Sequence, residues 1–138
     1  MISVRKQEVV KLEDVLHLYQ AVGWTNYTHQ PQMLEQALSH SLAIYMALDG
    51  DAVVGLVRLV GDGFSSVFVQ DLIVLPSYQR QGIGGALMKE ALGDFKDAYQ
   101  VQLVTDQTEK TLGFYRSLGF KTLSTFDCTG MIWLDRKK

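Results

Sequence analysis

The amino-acid sequence predicts a mixed α/β (α+β) fold, in which a mostly antiparallel sheet of about six to seven strands is flanked by four helices. Three observations predict it: β-rich runs separated by short glycine turns, amphipathic segments before and after them, and one strand–helix–strand unit. The chain has 138 residues and shows neither a repeat nor a change in composition. We therefore expect a single domain that spans residues 1–138.

The N-terminal third is predicted to be mainly helical. Residues 2–5 alternate in polarity and indicate a first strand. Residues 13–22 place apolar side chains at helical spacing, and Gly23 is typical of the position just past a helix. Residues 24–30 are predicted to form a loop, and Pro31 suits the first turn of a second helix through residue 38.

Three consecutive antiparallel strands are predicted in the middle of the chain. Residues 42–48 and 52–60 are rich in β-formers and are separated by Asp49-Gly50-Asp51, which is typical of a hairpin turn. Gly61-Asp62-Gly63 predicts a second turn, and the third run after it, residues 66–75, ends at Pro76, which cannot donate a ladder hydrogen bond.

The C-terminal half is predicted to alternate between helices and strands. After Pro76, one helix places its apolar side chains on a single face: Ile83, Leu87, Met88, Ala91, Leu92 and Phe95. Residues 100–105 form the next predicted strand, so this strand–helix–strand unit predicts a parallel crossover. A short helix at residues 111–118 and two final strands, at residues 121–124 and 129–134, complete the predicted order.

Composition and charge exclude several classes of protein. The formal net charge is −2, so nothing indicates a binding surface for nucleic acid. No apolar run approaches the ~20 residues that a membrane-spanning helix needs. The only cysteine, Cys128, cannot form an internal disulfide, and the N-terminus lacks the apolar core of a secretory signal. We therefore expect a cytoplasmic location, and the spacing of the histidines predicts no metal site.

The most informative segment is Gln79-Arg80-Gln81-Gly82-Ile83-Gly84, which lies between a predicted strand and a predicted helix. A helix N-terminus presents unpaired N–H groups and a partial positive charge. Glycine at positions 82, 84 and 85 removes side chains that would keep an anion away from those groups, and Arg80 adds a charge. The segment predicts a pyrophosphate site; alternatively, its glycines only bring the helix close to the sheet.

Two segments of the sequence resemble motifs of the GNAT superfamily of N-acetyltransferases and occur in the same order as in that family. Residues 79–84 match the family's Gln/Arg-x-x-Gly-x-Gly/Ala motif, and residues 114–120, Phe-Tyr-Arg-Ser-Leu-Gly-Phe, look like its late helix and following turn. The resemblance implies acetyl-coenzyme A as cofactor, with its pantetheine arm along the strand and its pyrophosphate on the turn. The cofactor-binding residues it implies are Leu72, Ile73, Val74, Gln79, Arg80, Gln81, Gly82, Ile83, Gly84, Gly85 and, where many members have asparagine, Thr108.

Tyr115 and Asp71 are the candidate catalytic residues. The resemblance implies that Tyr115 acts as the acid that protonates the leaving thiolate; alternatively, it is an amphipathic core tyrosine. Simple alternation places Asp71 on the same strand face as Val67, Val69 and Ile73, where a partly buried carboxylate would have a raised pKa suited to a general base. The alternative for Asp71 is a structural, hydrogen-bonding role. The resemblance also implies that this strand often has a bulge, which leaves open the face that Asp71 takes.

The acceptor is expected to be the primary amine of a small molecule, bound near Trp24 and Tyr27 in the loop after the first helix. Residues 18–24, the strand that contains Asp71 and residues 130–133 are also similar, more weakly, to plant-type arylalkylamine (serotonin) acetyltransferases, and this resemblance implies arylamine or polyamine acceptors. Two alternatives remain open: a non-catalytic sensor that binds coenzyme A, and a protein N-acetyltransferase. The apolar late strands around residues 131–134 are compatible with a homodimer.

Overall fold

The structure, a computed structural model, describes residues 1–134, which contain five strands and five helices. The strands are β1 (Ile2–Gln7), β2 (Ala43–Asp49), β3 (Ala52–Gly61), β4 (Ser66–Val74) and β5 (Gln100–Leu103). The helices are α1 (Leu12–Ala21), α2 (Thr25–Thr28), α3 (Pro31–Ser39), α4 (Ile83–Asp94) and α5 (Glu109–Ser117). The chain divides into two units, Met1–Val104 and a second that begins at Thr105.

The first unit is a five-stranded sheet in the order β1-β2-β3-β4-β5. The pairs from β1 to β4 are antiparallel, and β4 pairs with β5 in parallel. The α4 helix makes the crossover between the two parallel strands, as the sequence predicts. Glycine completes both hairpins, since Gly50 has φ 61° and Gly61 has φ 128°.

Helices cover both faces of this sheet. The helices α1, α2 and α3 enclose a core with β2, β3 and β4, whose fully buried members include Leu18, Leu34 and Leu56. The α4 helix packs on the opposite face, where a Cβ at Gly55 would lie 3.3 Å from the Leu87 side chain and 3.0 Å from the Ile73 carbonyl oxygen. Glycine at position 55 therefore allows α4 to lie close to the sheet.

A β-bulge changes the faces of β4 from those that simple alternation predicts. Asp71 pairs with Arg58 and Val69 with Leu59, so Gln70 is the extra residue. Consecutive residues of β3 point to opposite faces, and directly opposed residues point to the same face. Asp71 therefore shares the face of Ile73 that the first three helices cover, and its predicted place beside Val67 and Val69 is wrong.

The number of strands and helices also differs from the prediction. Residues 121–124 and 129–134 form no strands; a short 3-10 turn, Leu123–Phe126, lies in this part of the chain instead. The predicted loop at residues 24–30 contains α2, which the loop-like composition does not reveal. A strand forms only where a partner satisfies its backbone groups, so β propensity by itself does not place one.

The second unit contains α5 and the 3-10 turn, and none of its described residues is buried. The Thr108 side chain caps α5 by accepting a hydrogen bond from the backbone N–H of Thr111 (3.3 Å). The helix ends in a glycine turn, since Gly119 has φ 99° and its N–H donates to the Arg116 carbonyl oxygen.

Candidate active site

The turn between β4 and α4 is built from two left-handed residues. A 3-10 turn, Pro76–Tyr78, follows the strand, and α4 begins at Ile83. Between them, Arg80 has φ 66° and Gly82 has φ 80°. A positive φ is uncommon for a non-glycine residue such as Arg80. The turn therefore has a distinctive backbone conformation, which brings consecutive N–H groups together.

The backbone N–H groups of residues 80–85 donate no hydrogen bond to any acceptor within residues 1–134. The first hydrogen bond of the helix runs from the Ala86 N–H to the Gly82 carbonyl oxygen (3.0 Å). A Cβ at Gly82 or Gly85 would meet no atom within 4 Å, so the side-chain positions of these two glycines are open. This arrangement fits an anion such as a pyrophosphate, which accepts hydrogen bonds at a helix N-terminus.

Two side chains anchor the turn to the sheet. The Gln79 side-chain amide donates to the carbonyl oxygen of Val74 at the end of β4 (3.1 Å). The Tyr78 hydroxyl donates to an Asp49 carboxylate oxygen in the β2–β3 hairpin (2.6 Å). The Tyr78 hydrogen bond lowers the pKa of Asp49, so the carboxylate stays charged and the anchor stays formed in mild acid.

The second half of β4 has one free edge. The β5 strand pairs only with residues 66–69 of β4, whereas β3 pairs with β4 as far as Val74. On the side away from β3, the backbone of residues 70–74 forms no ladder with any described strand. Leu72, Ile73 and Val74, the predicted contacts of a pantetheine arm, lie on this segment, and its free edge ends at the turn.

A buried ion pair forms the polar centre of the first unit. The Arg58 Nε donates to an Asp71 carboxylate oxygen (2.7 Å), and their side chains are 5% and 2% exposed. Two tyrosine hydroxyls donate to the same carboxylate, Tyr19 at 2.8 Å and Tyr27 at 2.9 Å. Arg58 also donates to the Tyr27 hydroxyl (3.2 Å), and so does the Gln70 side chain at the bulge (3.4 Å).

The protonation of this cluster follows from its burial. Burial and the Asp71 carboxylate raise the pKa of the Tyr19 and Tyr27 hydroxyls, which therefore remain hydrogen-bond donors at neutral pH. Burial lowers the pKa of Arg58, but the adjacent Asp71 carboxylate raises it by more, so the net pKa of Arg58 is raised. All members are satisfied, as a buried polar network requires.

The predicted acceptor residues belong to an aromatic cluster around this network. The ring centroid of Tyr27 lies 5.1 Å from that of Tyr19 and 6.3 Å from that of Trp24. Trp24 precedes α2 and is half-buried, whereas only 9% of Tyr27 is exposed. The α2 helix thus brings Tyr27 from the predicted loop into contact with Asp71.

Sequence reasoning missed Tyr19 and Arg58 as members of this cluster. A signal was present for Arg58, since it interrupts an apolar run in β3 and a buried guanidinium needs a carboxylate partner. For Tyr19, helical spacing predicts that the side chain faces the core, but it does not predict the partner of its hydroxyl.

The other candidate residues lie in the second unit. The half-buried ring of Tyr115 on α5 packs against Phe114 and Phe120, with centroid distances of 5.0 and 5.8 Å. Burial, followed by the nearby Asp106 charge, raises the pKa of Tyr115, so its hydroxyl retains its proton at neutral pH. The Thr108 hydroxyl donates to Asp106 (2.7 Å) while it caps the helix.

Within residues 1–134, no group of three or more His, Cys, Asp or Glu side chains has the geometry to hold a metal ion. No helix of the described chain is long and apolar enough to cross a membrane.

Comparison with known proteins agrees with this geometry. Residues 40–122 match the acetyltransferase (GNAT) domain family. A solved GNAT-family acetyltransferase of Streptococcus pneumoniae is 79% identical and superposes with a TM-score of 0.92 over 99% of this chain and 100% of that one. A Thermoplasma acidophilum N-acetyltransferase, solved in complex with coenzyme A, has the same fold at 20% identity, with a TM-score of 0.67 over 87% of this chain and 91% of that one.

Two curated plant relatives are longer proteins. Rice serotonin N-acetyltransferase 2 is 30% identical over 66% of this chain, which spans 48% of that protein. The GCN5-related N-acetyltransferase 1 of Arabidopsis thaliana is 29% identical over 84% of this chain, which spans 59% of its length. The match over residues 40–122 includes both the unpaired amides of the turn and the free edge of β4. The chain is therefore a member of the GNAT family of acetyltransferases, enzymes that transfer an acyl group from acetyl-coenzyme A.

Proposed function

We propose that this chain transfers the acetyl group of acetyl-coenzyme A directly to the primary amine of a small molecule. One observation supports the proposal above all: the unpaired backbone N–H groups of residues 80–85, which follow a strand with a free edge. Such a turn binds a diphosphate, and such an edge binds an extended, amide-containing arm; the cofactor has both parts.

The turn and the strand bind different parts of the cofactor. The N–H groups from Gln81 to Gly85 bind the pyrophosphate, and Arg80 adds a positive charge. The backbone of Leu72, Ile73 and Val74 pairs with the pantetheine arm, while Gln79 holds the turn against the strand through its bond to Val74. Thr108, which also caps α5, hydrogen-bonds to the cofactor in this proposal.

The chemical requirement is a neutral amine beside an activated acyl group. When bound, acetyl-coenzyme A supplies an acetyl group whose carbonyl carbon accepts the amine nitrogen. An alkylammonium of pKa ~10.4 must lose its proton at pH 7, which costs ~4.6 kcal/mol. Tyr115 holds a proton on its phenolic oxygen, and its raised pKa keeps that proton available for the departing sulfur.

For the proton of the amine, we propose that water is the immediate acceptor and that Asp71 acts as a positioning residue. The Asp71 carboxylate accepts hydrogen bonds from Arg58, Tyr19 and Tyr27 and is 3% exposed, so direct contact with an acceptor amine would require it to lose a partner. Its effect on the acceptor then passes through the Tyr27 hydroxyl. This favours the hydrogen-bonding role of Asp71 over the role of general base.

Aromatic side chains support an arylalkylamine as the acceptor. Half-buried Trp24 offers a flat apolar surface next to Tyr27, whose hydroxyl accepts a hydrogen bond from Gln70, and such a surface suits an aromatic ring with a polar substituent. The 30% identity with a plant serotonin N-acetyltransferase is consistent with this class, although substrate choice varies widely on one fold.

The test combines cofactor binding with turnover. We expect calorimetry to detect coenzyme A binding, and thiol release from acetyl-coenzyme A to accelerate with tryptamine-like amines more than with aliphatic polyamines or peptides. Binding without turnover on any amine would support a sensor instead. Turnover only on peptides would support a protein acetyltransferase, and no binding at all would refute the proposal.

A further inference from the structure

Gln70 is the extra residue that the bulge inserts into β4. Its neighbours Val69 and Asp71 pair with consecutive residues of β3, so no residue of that strand lies opposite Gln70. The parallel strand β5 ends its pairing at Val69, directly before the bulge. Gln70 is therefore exposed at the point where β4 separates from β5 and its free edge begins. Bulges of this kind redirect side chains beside active sites.

The hydrogen bonds of Tyr27 determine which end of the Gln70 amide faces away from the cluster. The Tyr27 hydroxyl has one proton, which it donates to an Asp71 carboxylate oxygen (2.9 Å). Its oxygen can only accept from its other neighbours, and it does so from Arg58 Nη2 (3.2 Å) and Gln70 Nε2 (3.4 Å). The Nε2 end of the Gln70 amide therefore faces Tyr27, and the amide oxygen, Oε1, points away. No donor within residues 1–134 bonds to this oxygen.

The free edge of β4 leads from the cofactor turn to this oxygen. The Leu75 N–H donates to the Val54 carbonyl oxygen of β3, so alternation directs the backbone groups of Val74 and Leu72 to the free edge. Since the turn follows the C-terminal end of the strand, a coenzyme whose diphosphate binds there extends its arm back along Val74 and Leu72. Gln70 lies further along this path, about 13 Å of extended strand from Val74. The acetyl end of the arm therefore reaches the bulge.

We propose that Gln70 binds and orients the acceptor amine. This inference rests on the proposed acetyl transfer and assigns a residue to the acceptor side of it. The Gln70 Oε1 accepts a hydrogen bond from an N–H of the amine, which leaves the nitrogen lone pair free to approach the acetyl carbon. An uncharged carboxamide takes up no proton at neutral pH, so the protons of the amine pass to water.

The transfer releases two protons from an ammonium acceptor and consumes one. The first proton passes to water before attack, and the second leaves the nitrogen as the C–N bond forms and the C–S bond breaks. The sulfur departs with the electron pair of the C–S bond and takes up one proton. In this scheme Gln70 contributes position and no acid or base chemistry.

Two variants distinguish amine binding from a role of Gln70 in supporting Tyr27 alone. Gln70→Leu removes both polar groups of the amide. Gln70→Glu keeps an acceptor oxygen but cannot donate to Tyr27 and adds a negative charge near Asp71. If Gln70 binds the amine, Gln70→Leu should raise the KM for the amine about 3–10-fold, and Gln70→Glu should leave it at or below the wild-type value. If Gln70 only supports Tyr27, Gln70→Glu should be the more damaging change.

The measurement is steady-state kinetics with the amine that the wild-type chain acetylates fastest, together with calorimetry of coenzyme A binding. The Kd for coenzyme A should stay within about twofold in both variants, because Gln70 lies beyond the strand residues proposed to bind the cofactor. Gln7→Leu and Gln7→Glu are the matched controls. Gln7 lies on β1, three strands from β4 and so roughly 14 Å away, and its variants should keep the wild-type KM.

The outcomes separate this inference from the proposed function. Because Gln70 is exposed, we expect both of its variants to keep the wild-type circular dichroism. A wild-type KM in Gln70→Leu, or a KM in Gln70→Glu at least as high as in Gln70→Leu, would overturn the inference and leave the proposed acetyl transfer intact. Coenzyme A binding without turnover on any amine would overturn both.

Discussion

At the scale of single residues, the ion pair of Asp71 with Arg58 explains why an acid can occupy the covered face of β4. A buried carboxylate is costly unless it is paired and fully hydrogen-bonded, and three donors meet that requirement here. The same donors limit what Asp71 can contact, since an acceptor amine could reach this carboxylate only by displacing one of its three partners. Tyr115, by contrast, donates no hydrogen bond within the described chain and is a freer proton donor.

Tyr115→Phe should separate catalysis from cofactor binding. The ring keeps its contacts with Phe114 and Phe120, so we expect the KM for acetyl-coenzyme A to stay within about twofold. Loss of the proton donor should lower kcat by about 10²-fold or more. Steady-state kinetics measures both values, and an unchanged kcat would remove Tyr115 from the mechanism.

Tyr19→Phe should change the dependence of stability on alkaline pH. The pKa of Tyr19 is raised above its ordinary value of 10.0 in the folded chain, so folding retains a proton that the unfolded chain loses. The contribution of Tyr19 to the free energy of unfolding is therefore complete below pH 10 and declines as the pH rises further.

We expect Tyr19→Phe to cost about 1–3 kcal/mol at pH 7, because it removes a hydrogen bond to a buried carboxylate. Above pH 10 the difference between the two proteins should shrink. Urea unfolding at several pH values measures it, with Tyr99→Phe at an exposed position as the control. A difference that does not change with pH would contradict the assignment.

At the scale of elements, the β4–α4 connection shows how a short segment becomes a binding site. Left-handed residues at positions 80 and 82 reverse the chain so that the N–H groups of the first helical turn stay free. Gln79 and Tyr78 fix the turn to two different strand ends, and so the amides are held in place before any ligand arrives. Such preorganisation lowers the entropic cost of binding an anion.

Gly82→Ala should weaken cofactor binding, whereas Gly93→Ala should not. Both glycines belong to the α4 region and both have room for a Cβ, but Gly82 has φ 80°. A side chain there costs roughly 1 kcal/mol or more or moves the turn out of the left-handed region. We expect a several-fold higher Kd for coenzyme A by calorimetry.

The control, Gly93→Ala, lies within the helix and should raise stability by about 0.5–1 kcal/mol. Equal binding by the two variants would show that the conformation of the turn does not control the site.

At the scale of the whole molecule, the two units differ in how they are stabilised. The first has a closed core of fully buried side chains, whereas no described residue of the second is buried. A segment of this length without a core of its own is not expected to be stable alone.

Coenzyme A should raise the melting temperature of the intact protein. A ligand that binds only the folded chain stabilises it by about 2.7 kcal/mol at 100 times its Kd. For a chain of this size we expect a shift of several degrees, measured by calorimetry. The Gly82→Ala variant should show a smaller shift at the same ligand concentration. The same shift in both proteins would mean that the ligand binds elsewhere.

Features that depend on neighbours in the chain could be predicted from the amino-acid sequence: the hairpins at Gly50 and Gly61, the strand ending before Pro76, the crossover through α4, and the two motifs that identify the family. The other features depend on contacts between distant parts of the chain. The bulge at Gln70 turns Asp71 towards helices far away in sequence, and no local pattern encodes the partners that surround it. Residues 129–134 have strand composition without a strand, because a β-strand depends on a second strand to pair with, and that partner is not specified by the segment itself.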